Sequence, residues 1–238
     1  MVIDTCVWLD LAQNYNQQPL LSALEELVRM NFIHLIVPEI VTDELARNKE
    51  RVIEESGRNI VSTLRRAKEV VAQLGKDGEK QHVIRQLTEI DQKSVNYRDV
   101  AAEAISRIER LILGSELVDT NASMKLAAAE RALAGNAPFH RQRNSMGDAI
   151  LIEAYGEIQR QALGHYAFVT HNIKDFSNTH VNELEPHPDI EKFFPKSRSR
   201  YFTKLGNALM RSTLTDRANI RRSWLSRRGI CRRVVLSR

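Results

Sequence analysis

Between Pro38 and Pro138 the chain contains no proline and only five glycines. A stretch that long without breakers is committed to helices. Residues 60–74 set Ile60, Val61, Leu64, Ala67, Val70, Val71 and Leu74 on one face. Residues 100–112 do the same with Val100, Ala104, Ile105, Ile108, Leu111 and Ile112. Both follow the helical period and predict amphipathic helices with a buried stripe. The Gly75-Lys-Asp-Gly78 segment predicts a turn between two long helices. Gly114-Ser115 predicts the end of another, and residues 123–134 predict a shorter alanine-rich helix.

The flanks read differently. Val2-Ile3 is strand-like, and a helix begins around Trp8. A second helix is expected from about Leu20 to Met30. The run Phe32-Ile-His-Leu-Ile-Val37 reads as a buried strand closed by Pro38, which suits the first turn of the next helix. Residues 135–145 read as a polar loop, residues 147–161 as a helix, and residues 166–170 as a third strand. Residues 177–190 look like loop, and the stretch from Tyr201 to Leu214 like a short terminal helix. Strands separated by helices predict an α/β fold, a three-layer sandwich about a mainly parallel central sheet. The helical stretch at about 49–135 is then a large insertion, in one domain over residues 1–216. Such sheets put their ligand sites at the carboxyl ends of the strands.

Charge is unevenly placed. Residues 217–238 hold eight arginines and no acidic residue, so the preceding 216 residues carry 27 basic against 30 acidic side chains. The basicity belongs to the tail. Arginine pairs with Trp224 between them suit an RNA-binding arm; a disordered extension explains the same composition. Two cysteines, Cys6 and Cys231, build no disulfide framework, so a reducing cytoplasm is expected. No apolar run approaches a membrane span.

Four acidic residues stand where the sheet rule directs attention. Asp4 follows the first strand, where an N-cap explains it equally well. Glu44 shares a face with Ile40, Val41 and Leu45, and a carboxylate on an apolar stripe is costly unless paired or metal-bound. Asp148 follows Ser145 in a capping-box spacing. Asp175 lies just past the third strand, with Asn172 and Thr170 in the same loop. Clustered carboxylates repel one another, and a divalent cation relieves that cost. Oxygen donors suit Mg²⁺ or Mn²⁺. His140, Arg141, Arg143, Ser145 and Lys174 flank these positions and could meet substrate phosphates. His171 is a weaker candidate for a general acid.

Four blocks together resemble PIN-domain ribonucleases: Val-Ile-Asp4-Thr-Cys-Val-Trp-Leu, Val-Pro-Glu-Ile-Val-Thr-Asp-Glu44-Leu, Gly-Asp148-Ala-Ile-Leu-Ile-Glu and Val-Thr-His-Asn-Ile-Lys-Asp175-Phe. The resemblance covers about residues 1–48 and 138–195. It implies an endoribonuclease using Mg²⁺ or Mn²⁺ held by Asp4, Glu44, Asp148 and Asp175, with Asn172 where many members carry an acid. It also implies a toxin or defence role, with an antitoxin protein or a second copy of the chain as partner. A structure-specific DNA nuclease, and a catalytically weak RNA-binding or protein-interaction module, are the alternatives.

Overall fold

The computed structural model describes residues 1–75, 77–93, 97–141 and 146–212. The arginine-rich segment therefore lies outside the described residues. The chain runs β1 (Val2–Ile3), α1 (Thr5–Gln13), α2 (Gln18–Arg29), β2 (Ile36–Pro38), α3 (Glu39–Leu74), α4 (Asp77–Lys93), α5 (Tyr97–Leu113), β3 (Glu116–Val118) and α6 (Ala122–Ala134). It continues through α7 (Met146–Gln161), β4 (Tyr166–Val169), α8 (Ile173–Phe176), β5 (Ser177–Asn178), β6 (Asn182–Pro186) and β7 (Ser199–Phe202).

The fold is α/β, mostly helical, about a central parallel sheet in the order β1-β4-β7. A second parallel pair, β2-β3, abuts it: Ile36 N donates to the Met1 carbonyl at 3.0 Å. β1, β2 and β4 are apolar and almost wholly buried, as parallel strands covered by helices must be. Phe168 fills the middle, with the rings of Tyr155, Phe176, Phe194 and Tyr201 around it. The Tyr155 hydroxyl is satisfied by Ser199 Oγ at 2.6 Å. Trp8 is fully buried and donates its indole N–H to the Ile3 carbonyl. Helices α1, α3 and α5 pack on one another, and α6 packs on α7. Among the described residues no helix is long and apolar enough to cross a membrane.

Several local expectations are corrected. The strand before Pro38 covers Ile36–Pro38 alone; Phe32–Leu35 is not strand. Pro38 is not in the first helical turn: it ends β2 with extended φ −61° and ψ 141° and caps α3. Residues 177–190 contain the antiparallel pair β5-β6. Tyr201 and Phe202 belong to β7, parallel to β4, and helix follows only over residues 205–212. β3 lies within the supposed all-helical stretch. The stripe on residues 60–74 is not buried: Val61, Val70 and Leu74 are more than half exposed. Only the first half of α3 reaches the core, through Val41, Leu45 and Val52. On α5, Ala104, Ile105, Ile108 and Ile112 are buried while Val100 is exposed.

Candidate active site

Asp4, Glu44 and Asp175 each come soon after a strand, and Asp148 stands in the first turn of α7. β1 stops at Ile3, and the Asp4 N–H still donates to the Val169 carbonyl of β4 at 2.9 Å. The Asp4 side chain then turns back as N-cap of α1, accepting from Cys6 N. Its Oδ2 also accepts from Thr170 Oγ1 at 2.6 Å and from Cys6 Sγ at 3.1 Å. Burial pushes the Asp4 carboxyl up against these lowering hydrogen bonds, and burial also pushes the Cys6 thiol up. Asp4 therefore caps a helix and faces the strand edge together.

Glu44 comes from the second turn of α3, directly after β2. It is half-buried; burial, with the Asp4 charge adding to it, raises its carboxyl above the usual range. Gly147, in the first turn of α7, lies against Glu44 Oε1 with no room for a side chain between them. Asp148 follows. Its carboxyl is pushed up to about 8 by burial first, then by the charges of Asp4, Asp175 and Glu44. Those three causes place the four acids in one electrostatic neighbourhood.

Asp175 is buried on α8, the short helix after β4. Asn172 donates its amide N–H to Asp175 Oδ2 at 2.9 Å and reaches Asp148 Oδ2 at 3.4 Å. Asp175 Oδ1 is buried with no hydrogen-bond partner among the described residues. A buried carboxylate oxygen left unpaired is expensive and calls for a donor or a cation. Among the described residues no group of three or more His, Cys, Asp and Glu side chains forms a ready-made cation cage. The donor chemistry and the orphaned Asp175 oxygen suit a hard divalent ion, and the carboxylates would have to draw inward to hold it.

The flanking residues divide. Arg141 is exposed and donates to Thr179 Oγ1 at 2.5 Å, and Lys174 is exposed on α8. Arg143 and Ser145 lie outside the described residues. His171 is engaged elsewhere: its Nδ1 pairs with Asp10 Oδ2 at 2.5 Å, on α1. His140 stacks on His187 with centroids 4.4 Å apart. Burial, His187 and Arg141 lower its pKa.

Three features were not read from the sequence. One is the Gly147–Glu44 packing, for which the glycine beside Asp148 is a signal. Another is the Cys6 thiol on Asp4. The third is a buried brace: Arg131 Nε meets Glu153 Oε1 at 2.5 Å, and Arg131 Nη1 donates to the Ala137 carbonyl at 2.9 Å. Asp189 Oδ2 takes the Ala137 N–H at 2.8 Å. This brace holds the start of the segment that carries His140 and Arg141 to the acids.

The family model described as PIN domain matches residues 1–176. No curated protein and no solved structure matches the chain.

Proposed function

Because the chain belongs to the PIN-domain family, whose members are generally nucleases, we propose that it is a metal-dependent endoribonuclease hydrolysing phosphodiester bonds of single-stranded RNA. The observation that carries this reading is Asp148, a carboxyl held partly buried among the charges of Asp4, Asp175 and Glu44 at the strand ends. Mg²⁺ or Mn²⁺ would be held by Asp4, Glu44, Asp148 and Asp175, with Asn172 as a neutral oxygen donor. When bound, such an ion activates water and takes up charge developing on the phosphate.

The protein's own groups supply positioning. Thr170 and the Cys6 backbone fix the Asp4 carboxylate, and α7 presents Asp148 from its first turn. Arg141 and Lys174 stand beside this edge as exposed cations and would neutralise substrate phosphates; Arg143 and Ser145 belong to the segment leading into α7 and are assigned the same task. In a cytoplasmic toxin or defence nuclease, an antitoxin protein would cover this edge.

One observation favours a second reading, a catalytically weak RNA-binding or interaction module. Asn172 presents an amide N–H to two of the carboxylates, which a bound cation would displace. A structure-specific DNA nuclease is the third reading.

The test incubates purified protein and Asp148→Asn with mixed single-stranded RNA and DNA in Mg²⁺, Mn²⁺ or EDTA. RNA cutting by the unaltered chain, lost in the variant and in EDTA, is the expected result. Cutting of DNA alone establishes the DNA reading. Binding of RNA with no cutting in any metal establishes the module.

A further inference from the structure

We propose a second nucleic-acid contact, along the β7 edge of the central sheet. It is a basic groove of about 370 Å³ that takes the phosphodiester backbone of single-stranded RNA. It does not depend on the chain being catalytically active.

Its position follows from the topology. The groove is lined by His165, Lys196, Arg198 and Arg200 near the start of β4 and β7, and it continues along edge strand β7 to Phe202. Asp4 and Asp175 follow the carboxyl ends of β1 and β4, and the four residues of β4 span roughly 10 Å. A strand that contacts both sites must run across an edge of the sheet.

The lining includes no aspartate or glutamate. Among the described residues Arg198 is held in place by neutral groups alone. Its Nη2 donates to the carbonyls of Gln159 and Ala162, and its guanidinium lies 6.0 Å from the Tyr166 ring centroid. The arginine is therefore oriented while its charge stays uncompensated. Lys196 and Arg200 are exposed and make no salt bridge among the described residues. Phe32 and Phe202, packed against the core but partly exposed, also line the groove. Cations beside partly open aromatic rings are the composition that tracks single-stranded nucleic acid.

The rest of the chain fits a polymer better than a small anion. Ala208 and Ser212, on the last described helix, form one wall, and Arg211 beside them is already engaged by a partner. The sequence then enters the segment that holds eight arginines in residues 217–238. The last described residues thus line the groove, and in sequence the most basic part of the chain follows soon after them.

The test measures anisotropy of a labelled 20-nucleotide single-stranded RNA with the full chain in EDTA, where cleavage is absent. Lys196→Gln/Arg200→Gln is compared with the unaltered chain, with Lys196→Arg/Arg200→Lys and with Arg227→Gln/Arg228→Gln. Losing two phosphate contacts should weaken binding about tenfold and lower the slope of log K against log salt by about 1.4. The charge-conserving variant should bind like the unaltered chain. Unchanged affinity and slope in the Gln/Gln variant, with all loss confined to the tail variant, would overturn the proposal. So would labelled AMP binding as tightly as the strand, which makes the groove a nucleotide pocket. Since no arm requires cleavage, failure of the nuclease reading leaves this result intact.

Discussion

A Cβ atom on Gly147 would collide with Glu44 Oε1. The neighbour that must give way is a carboxylate, so the fold can absorb an alanine where the acid cannot stay. Gly147→Ala is expected to leave the melting temperature within a few degrees and to cut metal-dependent cleavage about as far as Glu44→Gln does. Parallel melts and rate measurements check this. A Gly147→Ala enzyme with full activity would show that the position of Glu44 is immaterial.

The pH dependence of stability has a definite sign. The folded Asp148 carboxyl sits at about 8, well above an aspartate in the unfolded chain. The folded form therefore keeps a proton that the unfolded form releases. Its stabilisation is complete below about pH 4 and is lost as pH rises through about 8. Burial raises Asp4 and Glu44 in the same direction. In EDTA, the melting temperature of the unaltered chain should fall between pH 5 and 8.5 relative to Asp148→Asn, by about 2–4 °C for each kcal/mol involved. Parallel curves for the two proteins would contradict it.

Asn172→Asp replaces the amide N–H donor that Asn172 sets between Asp148 and Asp175 by another carboxylate. Without metal the variant should be less stable at pH 8, because like charges then face each other with no donor. With Mn²⁺ it should be stabilised more steeply than the unaltered chain, since the donor set gains an anionic oxygen. A thermal-shift titration reads both effects. Equal Mn²⁺ responses would remove residue 172 from any cation site.

The Arg131–Glu153 pair leaves only 6% and 10% of the two side chains exposed. Removing one partner leaves a buried charge, so Arg131→Met should cost about 3–5 kcal/mol in denaturant unfolding. Arg131→Met/Glu153→Met should recover much of it. The Arg131 hydrogen bonds to the Ala137 and Asp189 carbonyls are lost in both variants, so both should show weaker RNA binding through Arg141. Full RNA affinity in the stable double variant would separate the brace from the site.

The acids were legible because sequence order carries them. Asp4, Glu44, Asp148 and Asp175 each follow a strand or open a helix, and that relation survives without coordinates. Short strands were not legible. Glu116-Leu-Val118 is three residues long with Leu117 exposed, so nothing alternates or clusters to announce it. Tyr201 and Phe202 carry helical spacing into residues 205–212, which concealed that β4 recruits them as a strand. Periodicity identified the stripe on residues 60–74 but could not say that it lacks a partner, because a pattern records preference and burial needs a neighbour. Asn172 shows the finest limit. Its residue type was visible, but which of its atoms meets Asp175 depends on where Asp148 stands.

β1 consists of two residues, yet its hydrogen-bonding neighbour β4 begins at residue 166. During synthesis, Asp4 emerges early and waits for Val169 and Thr170 to reach it. Long-range parallel pairing of this kind is slow to form. Asp4 and Glu44 can therefore be present on a ribosome-bound chain for most of its elongation without a completed carboxylate set. The last of the four is not even polymerised until residue 175. The order of the strands in the sheet, set against their order along the chain, acts as a delay on the assembly of the site.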